Sequence, residues 1–205
     1  MRQSGEAARA HARLLDCARP LSRPLADAIK TVGPVGPQNA NHQRLGHFLS
    51  RAIVGQQLSA QAARSIWARV TAAASEAHVG VTEFAETSAE DLRACGLSAN
   101  KVKSLQSIRV AEREGLLRED HLQRMTPGEI AQRLVAIRGV GPWTCDMAQI
   151  FYFRFPDIWP EGDVAVQRTF SGLIGRRSPR KAAARFSPYR SYLALSMWRI
   201  VDGGI

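Results

Sequence analysis

Acidic residues are missing from one long stretch of this sequence. Between Val164 and Val201 there is no aspartate or glutamate, yet Arg168, Arg176, Arg177, Arg180, Lys181, Arg185, Arg190 and Arg199 all fall there. Over the 205 residues, 28 Lys and Arg face 18 Asp and Glu, a formal charge of +10 with an isoelectric point near 10.5. That balance points to a polyanionic partner, nucleic acid ahead of an anionic membrane surface. Cysteine is scarce too. Cys17, Cys95 and Cys145 are odd in number and scattered, which excludes a disulfide framework and leaves no metal-ligand spacing. His11, His42, His47, His78 and His121 show no ligand spacing either. The first residues, "MRQSGEAARAHARLLDCARP", have no apolar signal core, and no run approaches the roughly 18 apolar residues of a membrane span. A soluble, intracellular protein with no membrane partner is expected.

Alternating strand patterns are absent as well, and the apolar periodicity is helical nearly throughout. Helices are predicted near residues 5–18, 22–31, 42–54, 59–77, 88–95, 98–114, 127–137, 142–153, 163–174, 179–186 and 188–201. Ser59 and Ser98 read as caps, and "TPGE" places Thr126 as a cap with Pro127 in the first turn and Glu129 reaching back. The chain is therefore expected to be all-α. "TVGPVGPQNANHQ", residues 31–43, is the clearest linker-like stretch.

The motif that carries chemistry is "LVAIRGVGPWT", residues 134–144. An apolar helix face ends at Ile137, Gly139 and Gly141 permit backbone geometries that other residues resist, and Pro142 suits the first turn of a new helix. Such a short turn aims the first N–H groups of the second helix outward, where a phosphate oxygen could meet them. About twenty residues later Asp163 opens another helix. By itself an Asp there is a favoured N-cap.

Taken together, these features resemble the helix-hairpin-helix DNA glycosylase superfamily. The likeness also takes in "RAIVGQQLSAQAARSIWARV", "LSANKVKSLQSIRVA" and "RFSPYRSYLALSMWRIVD", and spans residues from about 44 to 202. Among its branches the chain looks most like the alkylated-base (3-methyladenine type II) DNA glycosylases, in a compact form without the extra amino-terminal β domain. The resemblance implies two helical lobes, residues 44–162 with the hairpin and residues 1–43 together with 163–205, and an active-site cleft between them. It implies base excision from double-stranded DNA containing damaged bases such as 3-methyladenine and 7-methylguanine. A non-catalytic helix-hairpin-helix DNA-binding module is the other reading.

The resemblance assigns roles residue by residue. Asp163 is the catalytic carboxylate, set against the positive charge that builds on the sugar as the base leaves. Superfamily members that form a Schiff base carry a lysine two positions after the hairpin's second glycine; this chain has Trp143 there, and no lysine lies between Lys103 and Lys181, so a monofunctional enzyme using water is implied. Trp143, Trp198 and Met147 match base-pocket positions, and an aromatic face suits a cationic base. In "GQQLS", Gln57, or else Leu58, is the wedge that fills the gap left by the flipped nucleotide. Gly139, Gly141, Thr144, Arg168 and Arg190 are the expected phosphate contacts. The carbonyls of Ala136, Gly139 and Gly141 match a site for a monovalent cation, Na+ or K+. No cofactor is otherwise required, and nothing after Cys145 could complete the four thiolates of an iron–sulfur cluster. A monomer is expected, and the arginine-heavy usage fits a GC-rich bacterial genome, with the protein cytoplasmic and at the nucleoid.

Overall fold

Hydroxyl side chains start many of the helices. In the computed structural model, which describes residues 2–37, 44–76 and 87–203, Ser22 accepts from the N–H of Leu25, Ser88 from Asp91 and Ser98 from Lys101. Each bond satisfies a first-turn donor that has no acceptor within its own helix. Ser59 accepts from Ala62 at 3.2 Å, and Thr126 and Glu129 form the reciprocal box expected of them, with Pro127 in the first turn. The helices are α1 (Arg2–Ala18), α2 (Arg23–Val32), α3 (Leu45–Gly55), α4 (Ala60–Glu76), α5 (Ala89–Ala94), α6 (Ala99–Arg113), α7 (Glu119–Leu122), α8 (Pro127–Val135), α9 (Pro142–Met147), α10 (Val164–Ile174), α11 (Pro179–Ala184) and α12 (Arg190–Gly203). No strand occurs among the described residues, so the fold is all-α.

Two details depart from the predicted helices. The four-residue α7 was not expected, being too short for a periodic pattern. The single helix predicted over 142–153 is α-helical only to Met147, and Ala148–Tyr152 continues as a π-helical turn. Five residues of wider winding leave no mark in an apolar pattern, but they rotate every side chain beyond them. Residues 38–43 of the linker-like stretch, with His42, and His78 lie outside the described residues.

The chain forms two units, Asn41–Ala148 and Met1–Ala40 with Gln149–Ile205. In the first, α3 packs along α6. Leu45, Leu49 and Ile53 on one helix and Val102, Leu105 and Ile108 on the other are all buried, each side chain contributing roughly 1.5–3 kcal/mol. Charge marks both ends of α3. Glu112 of α6 lies against Gly46 in the first turn, where a Cβ would collide with its carboxylate, while the Lys101 ammonium donates to the carbonyls of Val54 and Gln56 at the far end. A carboxylate at the N-terminus and a cation at the C-terminus both suit the helix dipole.

The other unit is built around Leu14, Leu25, Ile29, Phe170, Phe186, Leu193 and Met197, all buried. It also takes in residues 149–162, which the predicted boundary at Asp163 assigned to the hairpin lobe; the division falls at Gln149 instead. The reason is a set of bonds to α12: Ser191 donates to Phe155 O at 2.6 Å, and Ile158 N–H donates to the Ser191 hydroxyl at 2.9 Å. Trp159 adds an edge-on packing against Phe170, with centroids 5.1 Å apart.

Candidate active site

The hairpin closes on two backbone bonds, Ile137 N–H to Leu134 O and Val140 N–H to Ile137 O, both 3.0 Å. Gly139 sits at φ +88 and presses on the Ser104 side chain, where a Cβ would clash, so it needs to be glycine on both counts. Gly141 does not. Its φ of −85 and ψ of 174 are ordinary extended backbone, and nothing lies within 4 Å of where its Cβ would be. Pro142, which has no N–H to leave unsatisfied, takes the first position of α9 as expected.

Two hairpin residues stand differently from their expected roles. Thr144 is buried, and its hydroxyl accepts from Gln56 Nε2 at 2.9 Å; that side chain ties the α3 loop to the hairpin rather than meeting a phosphate. Met147 is 6 % exposed, which makes it packing rather than an open pocket wall, whereas Trp143 is only partly buried. The Gly141 carbonyl accepts from the Cys145 N–H at 3.0 Å along α9, which leaves it one lone pair for a cation. The expected set adds the carbonyls of Ala136 and Gly139, and neutral carbonyl oxygens are donors of the right kind for Na+ or K+. Among the described residues no group of three or more His, Cys, Asp or Glu could hold a metal ion.

The "GQQLS" turn follows α3. Gln57 is exposed and held at φ +57, a region that costs a non-glycine residue roughly 1–2 kcal/mol. Leu58, the other expected wedge, is 38 % exposed. Both side chains are exposed, and only Gln57 is strained.

In the other unit, Asp163 is 7 % exposed and is the N-cap of α10. Its Oδ1 accepts from Val166 N–H at 2.9 Å and from the indole N–H of Trp198 at 3.3 Å. Capping fixes the carboxylate, and the indole gives it a second donor. Trp198 is partly buried and meets Phe151 at a centroid distance of 5.5 Å and an interplanar angle of 34°. Phe151 is a neighbour of the site that the sequence reading missed. It lies in the aromatic run "IFYFRF", whose outward positions depend on the π-helical turn.

Arg168 is exposed on α10, as a phosphate contact must be. Arg190 is committed elsewhere. Its Nε donates to Asp157 Oδ1 at 2.7 Å, and one terminal nitrogen reaches Asp157 Oδ2 and the Asp157 carbonyl, both at 3.0 Å. Ser187 donates to the same carboxylate at 2.8 Å. Partial burial pushes the Asp157 carboxyl up, but the bonds from Arg190 and Ser187 outweigh it and hold the group below the usual carboxylate range. Arg190 is thereby a structural partner rather than the expected phosphate contact. Arg180 also finds an acid, Glu161, at 3.2 Å across an exposed surface, a pair weak enough to exchange.

A family model of the HhH-GPD superfamily base excision DNA repair proteins matches residues 50–188. The chain is 29 % identical over 182 residues to DNA-3-methyladenine glycosylase 1 of Schizosaccharomyces pombe, covering 83 % of this chain and 79 % of that one. Among solved structures it resembles the S. pombe 3-methyladenine DNA glycosylase in complex with abasic DNA, with TM-score 0.74, 26 % identity and coverage of 95 % and 97 %. It also resembles a DNA-3-methyladenine glycosidase from Bacillus halodurans, with TM-score 0.76, 26 % identity and coverage of 93 % and 88 %.

Proposed function

This chain belongs to the HhH-GPD superfamily of base excision DNA repair proteins, and we propose that it is a monofunctional DNA glycosylase that hydrolyses the N-glycosidic bond of alkylated bases such as 3-methyladenine and 7-methylguanine. The observation that carries this reading is the Asp163 carboxylate, buried and gripped by Val166 N–H and the Trp198 indole. A carboxylate fixed before the reaction stabilises the cation that develops on the sugar without having to reorganise. It also accepts a proton from, and so aligns, the attacking water. Trp198 with Phe151 offers aromatic faces beside that carboxylate, and Trp143 offers another in the hairpin unit; a positively charged methylated base is the leaving group such faces favour. With Trp143 where a Schiff-base lysine would stand, the chain has no amine nucleophile in its hairpin.

The partner is double-stranded DNA, bound as a monomer. The first turn of α9 meets one phosphate, the carbonyls of Ala136, Gly139 and Gly141 hold a Na+ or K+ that adds positive charge there, and Arg168 neutralises a further phosphate. Gln57 fills the gap behind the flipped nucleotide.

Incubation with methylated duplex DNA, followed by chromatography of the soluble fraction, should release free methylated base and leave the strands intact until the abasic sites are cleaved chemically. Borohydride should trap no adduct. Asp163→Asn should abolish release while abasic-site DNA is still bound. A variant keeping more than about a tenth of the single-turnover rate, a loss under roughly 1.4 kcal/mol of barrier, removes Asp163 from the chemistry. Tight binding with no base release from the wild type would favour a DNA-binding module without catalysis.

A further inference from the structure

Packing does not explain the strained turn after α3. Gln57 holds φ +57 with its side chain exposed, so no burial of its own keeps it there. Two side chains from other elements fix the residues just before it. The Lys101 ammonium donates to Val54 O at 2.9 Å and to Gln56 O at 2.8 Å, drawing together two carbonyls on either side of Gly55. The Gln56 amide is tied to the Thr144 hydroxyl in the hairpin at 2.9 Å. Gln56 at φ −56, ψ 134 and a bond from Leu58 N–H to Gly55 O at 3.3 Å close a type II turn that puts Gln57 in the left-handed region, and the Lys101 and Thr144 bonds hold the first half of that turn. A lysine suits the task because one small cation can bridge two carbonyls and at the same time answer the negative end of the α3 dipole.

We propose that Lys101 is a positioning residue for base extrusion, holding the turn after α3 so that Gln57 projects in the conformation that replaces a flipped nucleotide. This inference rests on the glycosylase reading, and on Gln57 as the wedge. Lys101 acts through Gln57 and touches neither the base nor the sugar. Its effect must therefore scale with how much stacking the wedge has to replace, which is largest for a lesion in a fully paired duplex and least for one that is already unpaired.

The test compares single-turnover base release from two methylated duplexes, one fully paired and one with an abasic site opposite the lesion. Lys101→Met should lose roughly tenfold or more on the paired duplex and less than about threefold on the other, a difference readable as barrier height. Lys101→Arg, which also donates to two carbonyls, should recover most of the rate. Gln57→Ala should lose rate in the same selective way, and adding Lys101→Met to it should cost less than about twofold more, because residues acting in series are not additive. A general loss of stability would slow both duplexes alike and multiply with Gln57→Ala; either result overturns the inference. Should Lys101→Met fail to fold, Lys101→Gln carries the same comparison, since it retains a donor for one carbonyl. A wild type that frees no base from either duplex overturns the glycosylase reading and this inference with it. An active wild type whose Lys101 variants show no duplex preference overturns the inference alone.

Discussion

Gly139 and Gly141, two positions apart, look alike in the sequence and are unlike in the fold. Only Gly139 lies at positive φ and only Gly139 presses on a neighbour, Ser104. Gly139→Ala should therefore destabilise the protein by about 2–4 kcal/mol, from backbone strain plus overpacking, lowering the melting temperature by roughly 5–15 °C for a chain of this size. Gly141→Ala should leave melting within about 2 °C and reveal itself, if at all, as weaker DNA binding, because open space surrounds that position. Equal melting losses for the two variants would contradict this reading. The Gly-x-Gly spacing announced a tight turn, but which glycine pays a conformational cost depends on Ser104, thirty-five residues away. Asp163 shows the converse: its cap was legible from residue type alone, and its second donor, Trp198, was not, because the indole arrives from another helix.

Among elements, the segment that leads into α10 is secured to α12 chiefly through Asp157, whose carboxylate takes Arg190 Nε, Arg190 N–H and Ser187. Its carboxyl lies below its ordinary range in the folded protein, so it contributes stability that is complete above the unfolded value of about 3.9 and is lost as pH falls through the depressed folded value. Asp157→Asn should lower stability by about 1–3 kcal/mol at pH 7, and the gap from wild type should close as the pH is brought below about 3.9. Urea melts at pH 7 and pH 3 check this; a gap that stays constant would show that the bonds to Asp157 do not depend on its charge. The same pair explains why Arg190 was misread. Its acid lies 33 positions earlier in the chain, outside the acid-free stretch that made every arginine there look available. Helix starts were legible because caps are local, whereas the π-helical turn and the attachment of residues 149–162 to the terminal unit are set by contacts distant in sequence.

At the scale of the whole molecule, a formal charge of +10 should make DNA binding steeply dependent on salt and nearly indifferent to flanking sequence. The structure divides the arginines by what they already hold. Arg168→Ala should reduce the slope of log affinity against log salt by about 0.9 in magnitude, while Arg190→Ala should change it much less and melt earlier instead. Equal slope changes in both would place Arg190 on the phosphates after all. Composition gave the sign of the partner's charge, and geometry decides which side chains meet it. Geometry also decides how the hairpin unit can assemble. Along α6, Lys101 and Glu112 are separated by about 16 Å, close to the length of α3, and they meet its two ends with opposite charge. Docked the other way round, α3 would bring its carbonyl end onto the carboxylate and its amide end onto the ammonium, each unfavourable by roughly 0.3–1 kcal/mol, so the two ions add a sense of direction to a helix pair whose leucines alone would tolerate either one.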